Sequence, residues 1–341
     1  MEEKEIIGGY FELELSRGQE YHNDALRFNT ARNALCYYLK KKGIRRLHLP
    51  LYVPGTILKA LEKHNIEAVF YRLDQNLRPH VEHSSDNADE AFLAVNYFGV
   101  SDTIVKDCFN TYPNVIADNS QAFFTHPEKN CCTFYSARKF FGVADGAYLY
   151  AEIDHDNLER DASAQRYMAQ LIRMDGDIEN GAFVHRNSEQ LLGRQPAKAM
   201  SFLTQRILKA IRYDIVWERR EANFRLLHQE LGAFNQLKID AHATHGAVVY
   251  PFLYSNANLK DNLHKAGIMT HAYWPEVLNI APDNSIEAFL SRHIIGLPID
   301  QRYGFSEMDK IAKTVKRFIQ NNGAGHFTVQ REINLLERQV K

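Results

Sequence analysis

IRRLHLPLYVPGTILKALEKHNIEAVFYRLD, residues 44–74, holds two short apolar runs with an amphipathic segment between them. IRRLHLPLY and IEAVFYRLD have the length and composition of strands, and GTILKALEKHN carries apolar residues at helical spacing. A helix between two strands is the signature of a crossover, which joins parallel neighbours in one sheet. The same alternation extends outward. Upstream, ALRFNTARNALCYYLKKKG has Ala34, Leu35, Tyr38 and Leu39 at helical spacing and stops at Gly43 after three lysines that suit a helix C-terminus. Downstream, DEAFLAVNYFG predicts a strand, DTIVKDCFNTYP a helix, and NVIADNS a strand that ends at Asp118.

The reading is therefore an α/β fold whose large domain is a mainly parallel sheet flanked by helices. Such sheets bind ligands outside the carboxyl ends of their strands, which is where Tyr52, Asn96, Asp118 and the loop carrying Lys139 should gather. From about Gln190 the pattern changes. AMSFLTQRILKAIRYDIVWERREANFRLLHQELGAF predicts a long amphipathic helix with Phe202, Ile207, Leu208, Ile211 and Ile215 on one side. GAVVYPFLY, LKDNLHKAGIM and FSEMDKIAKTVKRFIQNNG then suggest a smaller C-terminal α/β domain. The expected division is residues 1–200 for the large domain with its N-terminal segment, and 201–341 for connecting helices and the small domain. The tail beyond Gly323 is polar.

The chain has 341 residues, 45% hydrophobic and 24% charged, enough to bury a substantial core. Its formal net charge of -1, with both signs mixed along the chain, gives no footprint for nucleic acid or an anionic membrane. No apolar run approaches the roughly 20 residues that span a bilayer, and MEEKEIIGGYFELEL lacks the apolar centre of a signal peptide, so a cytoplasmic protein acting on a small molecule is expected. Cys36, Cys108, Cys131 and Cys132 match neither a disulfide framework nor a metal spacing, which leaves buried reduced thiols. His242, His245, His264 and His271 fit no ligand helix, so no metal is expected. Motifs for phosphate loops, dinucleotide binding, zinc proteolysis and esterase chemistry are absent.

What carries chemistry is the segment 116–152, IADNSQAFFTHPEKNCCTFYSARKFFGVADGAYLYAE. An acid ends a strand at Asp118, an amide follows at Gln121, and Lys139 stands before two phenylalanines. Each has an ordinary reading taken singly: a turn cap, a surface amide, a solvated charge. Together they fit pyridoxal 5'-phosphate. A lysine forms a Schiff base with the cofactor aldehyde, and a carboxylate beside the pyridine nitrogen keeps that nitrogen protonated, making the ring an electron sink.

The arrangement resembles the DegT-type sugar aminotransferase family of fold-type I pyridoxal phosphate enzymes. The similarity runs from RFNTARNAL through LPLYVPGTILKALEKHNIEAVFYRLD, FLAVNYFG, VIADNSQAF and FYSARKFFGVADGAYLY to YWPEVLN and IIGLPID. It implies Lys139 as the Schiff-base lysine and proton shuttle, Asp118 as the partner of the pyridine nitrogen, and Gln121 beside the ring hydroxyl. Ala31 and Arg32 fall where the family's backbone amides hold the phosphate at a helix start, and Tyr52 is the candidate for the ring-stacking aromatic. Where the family often has a phosphate-binding serine, five residues before the lysine, this chain has Phe134; Ser136, three before it, has the spacing seen more broadly in fold-type I enzymes. The family's GEGG becomes ADGA at Ala144–Ala147. Its partner-subunit motif has no clear counterpart here beyond Asn187.

The resemblance implies a homodimer that moves an amino group, from glutamate, to a keto sugar, nucleotide-linked, in surface polysaccharide or amino-sugar biosynthesis. Alternatives are another small keto acceptor, with Arg292 and Arg302 available to grip a carboxylate, or a degenerate member that binds the cofactor and regulates. His271, Tyr273 and Trp274 are candidates to flank a sugar or its nucleotide.

Overall fold

The computed structural model describes residues 7–81, 87–241, 244–256 and 258–321. His242 and the tail after Gly323 lie outside these residues. Strand and helix alternate through the first half as β1 (Leu26–Phe28), α1 (Ala31–Lys42), β2 (Arg46–Pro50), α2 (Gly55–Lys63), β3 (Glu67–Leu73), β4 (Pro79–His80), β5 (Glu90–Val95), α3 (Asp102–Thr111), β6 (Val115–Asn119), β7 (Cys132–Ser136) and β8 (Ala147–Tyr150). The strands form one eight-stranded sheet in the order β1-β8-β7-β6-β5-β2-β3-β4. β3, β2, β5, β6 and β7 run parallel, with antiparallel β8 and β1 on one edge and β4 on the other.

β5, β6 and β7 are buried at every position, as expected of parallel strands covered on both faces, and β5 and β6 accordingly hold the short apolar runs Ala91–Val95 and Val115–Ala117. The chain lays β3 on one side of β2 and then returns to lay β5 on the other. The sheet therefore changes direction between β2 and β5, and a crevice opens there above the strand ends.

α1 begins at Ala31, the helix start expected from the family resemblance, and the residues before it form a short strand. Leu26–Phe28 pairs antiparallel with β8, with Leu26 opposite Leu149, and so covers what would otherwise be a bare sheet edge. Thr30 caps the helix by accepting from the Asn33 amide at 3.1 Å, and Gly43 closes it in the left-handed conformation at φ 69°.

The second half opens with α4 (Met168–Met174) and α5 (Ile178–Arg194), which pack together. The long amphipathic stretch expected as one helix is two, α6 (Phe202–Lys209) and α7 (Tyr213–Leu231), because Arg212 at φ -85°, ψ 81° interrupts the helical backbone. Its expected apolar face is likewise divided. Leu208 is fully buried, whereas Phe202 is 66% exposed and takes the Arg160 guanidinium over its ring at 3.8 Å.

The chain continues as β9 (Tyr250–Leu253), α8 (Leu259–Lys265), β10 (His271–Ala272), α9 (Ile286–His293), β11 (Ile294–Leu297) and α10 (Phe305–Asn321). β10, β11 and β9 make a small antiparallel sheet. Met308, Ile311, Ala312, Val315 and Phe318 of α10 recur at helical spacing and are buried in the core that includes this sheet.

Several contacts join this part to the large domain beside the crevice. Glu287 of α9, fully buried, accepts from Arg72 Nε at 3.0 Å and from the Leu73 amide at 2.8 Å. The Val248 amide donates to the Phe98 carbonyl at 3.0 Å. Phe98 and Gly99 are both left-handed, at φ 59° and 78°, and turn the chain sharply after β5. A Cβ on Gly99 would lie 2.7 Å from the Gln121 carbonyl oxygen and 3.0 Å from the Ala247 Cα. Gly99→Ala is therefore expected to destabilise the chain by about 1–3 kcal/mol in urea denaturation. An unchanged midpoint would show that this turn yields without cost.

Candidate active site

Parallel pairing of β6 with β7 sets Asp118 opposite Phe134, so the acid and the turn that follows β7 emerge at the same edge of the sheet. Asp118 is buried and its Oδ1 accepts from the Ser120 amide at 2.8 Å, a turn that directs the chain over the strand end. Lys139 closes the short 3-10 turn Ala137–Lys139, and its Nζ donates to the Ser120 hydroxyl at 2.8 Å. One serine thus touches the lysine through its side chain and the acid through its backbone.

Lys139 is open to a cleft on one side and enclosed by protein on the others. That enclosure lowers the amine's pKa; the Asp118 charge raises it in part, and Arg138 adds to the lowering. A lowered pKa increases the neutral, nucleophilic fraction near neutral pH.

The cleft has a volume of about 980 Å³ and lies at the carboxyl ends of β2, β5, β6 and β7, where Val53, Val95, Asp118 and Ser136 line it. Gln121 lines it too. Its Oε1 accepts from the Phe98 amide at 2.7 Å, which fixes the carboxamide, and its NH2 group has no hydrogen-bond partner among the described residues.

The N-terminus of α1 forms another wall. The amides of Ala31 and Arg32 find no acceptor among the described residues, so an anion placed there would meet free donors and the positive end of the helix. Arg32 and Arg138 stand close enough for Arg138 to lower the Arg32 pKa, although burial is the larger cause. The Arg138 Nε is buried without a partner, while its Nη2 pairs with Glu189 of α5.

The same end of the cleft is walled by the end of α5 and the chain after it. Arg32 donates to the Gly193 carbonyl at 3.2 Å, and Asn33 Nδ2 donates to the carbonyls of Gln195 and Pro196 at 3.3 and 2.9 Å.

Of the residues singled out from sequence, Lys139, Asp118, Gln121, Ser136, Ala31 and Arg32 all line this one cleft. Tyr52 does not. It is fully buried, its hydroxyl has no partner, and its ring meets Trp274 edge-on at 4.6 Å. A strand-end aromatic can point either way, and here the core claims Tyr52. Trp274 and Phe134 are the aromatics that line the cleft, Trp274 held at φ 54°, ψ 60°, a conformation rare for a bulky side chain.

Asn96 turns inward to Asp102 and Asn119. Arg292 pairs with Asp283 and Arg302 with Asp300, both away from the cleft. Sequence reasoning passed over Ser120, whose signal was its place between Asp118 and Gln121. It also passed over Arg138, which stood beside the lysine.

Among the described residues no group of histidine, cysteine and acidic side chains is placed to hold a metal, and no helix is long and apolar enough to cross a membrane. A second cleft of about 1070 Å³ is lined by Tyr21, Asp102, His126, Trp217 and His245. Its buried acid, Asp102, is already held by Asn96 and by Thr125 at 3.0 Å, so the convergent chemistry lies in the first cleft.

The fold is that of the DegT-type sugar aminotransferases. The chain superposes on a sugar aminotransferase, CalS13 from Micromonospora echinospora, with TM-score 0.58 and 12% identity over 86% of this chain and 87% of that one. A DegT DnrJ EryC1 StrS aminotransferase from Brucella abortus gives TM-score 0.58 and 15% identity over 86% and 85% of the two chains. Helicobacter pylori PseC, an aminotransferase involved in the biosynthesis of pseudoaminic acid, gives 0.56 and 14% over 87% of each. No family model matches the sequence, and no curated protein matches it either. At these identities the likeness establishes the fold.

Proposed function

We propose that this chain is a pyridoxal 5'-phosphate-dependent aminotransferase that passes an amino group, with glutamate as donor, to the keto group of a nucleotide-linked sugar. The observation that carries the reading is the Lys139–Ser120–Asp118 arrangement at the floor of a cleft whose wall is the open N-terminus of α1. The residues fit the cofactor. The free amides of Ala31 and Arg32, with Ser136 and the unpartnered Arg138 Nε, suit its phosphate. Asp118 suits its ring nitrogen, and the free NH2 of Gln121 suits its ring hydroxyl. Trp274, with Phe134 also lining the cleft, is an aromatic suited to cover the ring.

Bound there, pyridoxal phosphate supplies an aldehyde for the lysine and a protonated ring that withdraws electrons from the substrate's amine-bearing carbon. Lys139, its pKa lowered by burial, would offer a neutral amine to that aldehyde, with water released, and would hold the proton that moves to and from the substrate carbon. Ser120 holds the amine of Lys139 over the cleft floor. Asp118 would lie against the ring nitrogen, and Trp274 would help to keep water from the exposed face.

The sugar nucleotide is supported by charge. Arg32, Lys59, Lys63, Arg138, Lys139 and Arg194 line the cleft against only Asp118 and Glu189, more cations than one cofactor phosphate uses. Lys59, Lys63 and Arg194 therefore suit a second anion, such as the substrate's diphosphate. We also propose a cytoplasmic homodimer working in surface polysaccharide or amino-sugar biosynthesis, on the strength of the family resemblance.

The test is spectroscopic. Protein loaded with pyridoxal phosphate should absorb visible light, lose that band on adding glutamate, and regain it with a keto-sugar nucleotide. Brisk turnover of several plain 2-keto acids with every keto-sugar nucleotide inert would replace the acceptor. Bound cofactor with no turnover at all would favour a regulator.

A further inference from the structure

Arg220 of α7 is the largest fully buried side chain in the described structure, 1% exposed. No carboxylate among the described residues pairs with it, since Asp300 is engaged by Arg302 at 2.7 and 2.9 Å. Its guanidinium is instead divided among neutral acceptors. Nη1 donates to the carbonyls of Ala247 and Val248 at 3.0 and 3.3 Å, Nη2 to that of Phe140 at 3.5 Å, and Nε to Gln301 Oε1 at 3.1 Å. Gln301 Nε2 donates to the same Phe140 carbonyl at 2.9 Å, and the guanidinium lies over the Phe140 ring at 4.6 Å. Burial pushes the Arg220 pKa down to about 10, with Asp300 opposing. Holding a cation in such a place is costly, and an apolar side chain of similar volume would fill the space without that cost.

What the charge organises is legible from its acceptors. Phe140 directly follows Lys139, and its own amide closes the lysine's turn by donating to Ala137 at 3.0 Å. Val248 donates to the Phe98 carbonyl at 3.0 Å, and the Phe98 amide in turn orients Gln121 at 2.7 Å. One guanidinium therefore grips the backbone beside the lysine and the segment that supports the Gln121 loop, although neither Arg220 nor Gln301 lines the cleft.

We infer that Arg220, acting with Gln301, is a positioning residue for Lys139 and Gln121, and that it ties their presentation to the docking of the C-terminal part of the chain. The need for a fixed amine rests on the aminotransferase reading; the clamp itself rests on the contacts above. The groups facing the amine are Asp118 from β6, Ser120 after it, and Arg138 from its own turn. A turn that loosens moves the amine away from all three and into water.

The experiment uses the full chain and three variants: Arg220→Met, which keeps length but removes the donors, Arg220→Lys, which keeps a cation, and Gln301→Ala. Trace acetylation of the cofactor-free proteins across pH, with Lys139 followed by peptide mass spectrometry, reports the amine directly. Borohydride trapping of pyridoxal phosphate on Lys139 reports its capture rate, and circular dichroism checks the fold. In Arg220→Met and Gln301→Ala the Lys139 titration should move up toward that of ordinary lysines and capture should slow by about 10-fold to 100-fold, with partial recovery of both in Arg220→Lys. Folded variants whose titration and capture match the parent would overturn the inference and leave Arg220 as packing. If Arg220→Met does not fold, Gln301→Ala decides between these outcomes. A parent that captures no pyridoxal phosphate would sink the cofactor reading, while the acetylation profile would still decide the role of Arg220.

Discussion

Lys139→Ala will fold normally and lose transamination by about 10³-fold to 10⁴-fold, the range over which a positioned proton-transfer group contributes. Folding should survive because the side chain lies open to the cleft and its hydrogen bond is to the Ser120 hydroxyl alone. The loss should be large because the same amine is asked both to hold the cofactor and to move the substrate's proton. Borohydride reduction and peptide mapping of the parent should find the reduced cofactor on Lys139, and the variant should yield no labelled peptide. Label recovered from another lysine in the parent, or a variant that transaminates at the parental rate, would remove Lys139 from the mechanism.

Asp118→Asn separates binding from turnover. A hydrogen bond to a charged partner is worth about 1.5–3 kcal/mol, so turnover should fall by about 10-fold to 100-fold while cofactor affinity changes much less. The variant also has a pH signature. Since the Asp118 charge raises the Lys139 pKa, removing it should lower that pKa further and shift capture of pyridoxal phosphate to lower pH. A variant with normal turnover and an unmoved capture profile would reduce Asp118 to a strand-end acid holding the Ser120 turn.

How much of this could be read from sequence depended on whether a signal was local. Asp118 could be placed at a strand end because β6 announces itself as a short apolar run, whereas β7, CTFYS, carries no such run and Ser136 and Lys139 came from the family resemblance; the parallel pairing that brings the two ends together appears only in the structure. The helix start at Ala31 and Arg32 came with the family resemblance, and Leu26–Phe28 went unread as a strand because three residues carry too little pattern. Tyr52 was misjudged for a different reason: sequence says that an aromatic follows β2 but not which side of the chain it faces. α4 and α5 went unread because they bury little, only Ala169 in the one and Gly181 and Leu192 in the other, so no apolar stripe marks them. With them went Glu189, Gly193 and Gln195, which close the anion end of the cleft. Arg220 sat in plain view inside ERREANFR, where a charge run is ordinarily a solvated face; its burial comes from contacts with residues 80 or so positions away.

The pairing of β6 with β7 bears on how far such a sequence can drift. The ladder that sets Asp118 opposite Phe134 is made of backbone groups, which every residue except proline supplies alike. Side chains between the two strands can be exchanged for others of similar bulk while the acid and the lysine keep their separation. A fold of this kind can therefore persist through extensive change of side chains, which accords with chains only 12% to 15% identical to this one superposing along most of their length. Substitutions in the core and on the surface helices can then accumulate, while the main chain keeps the end of β6 beside the turn that follows β7.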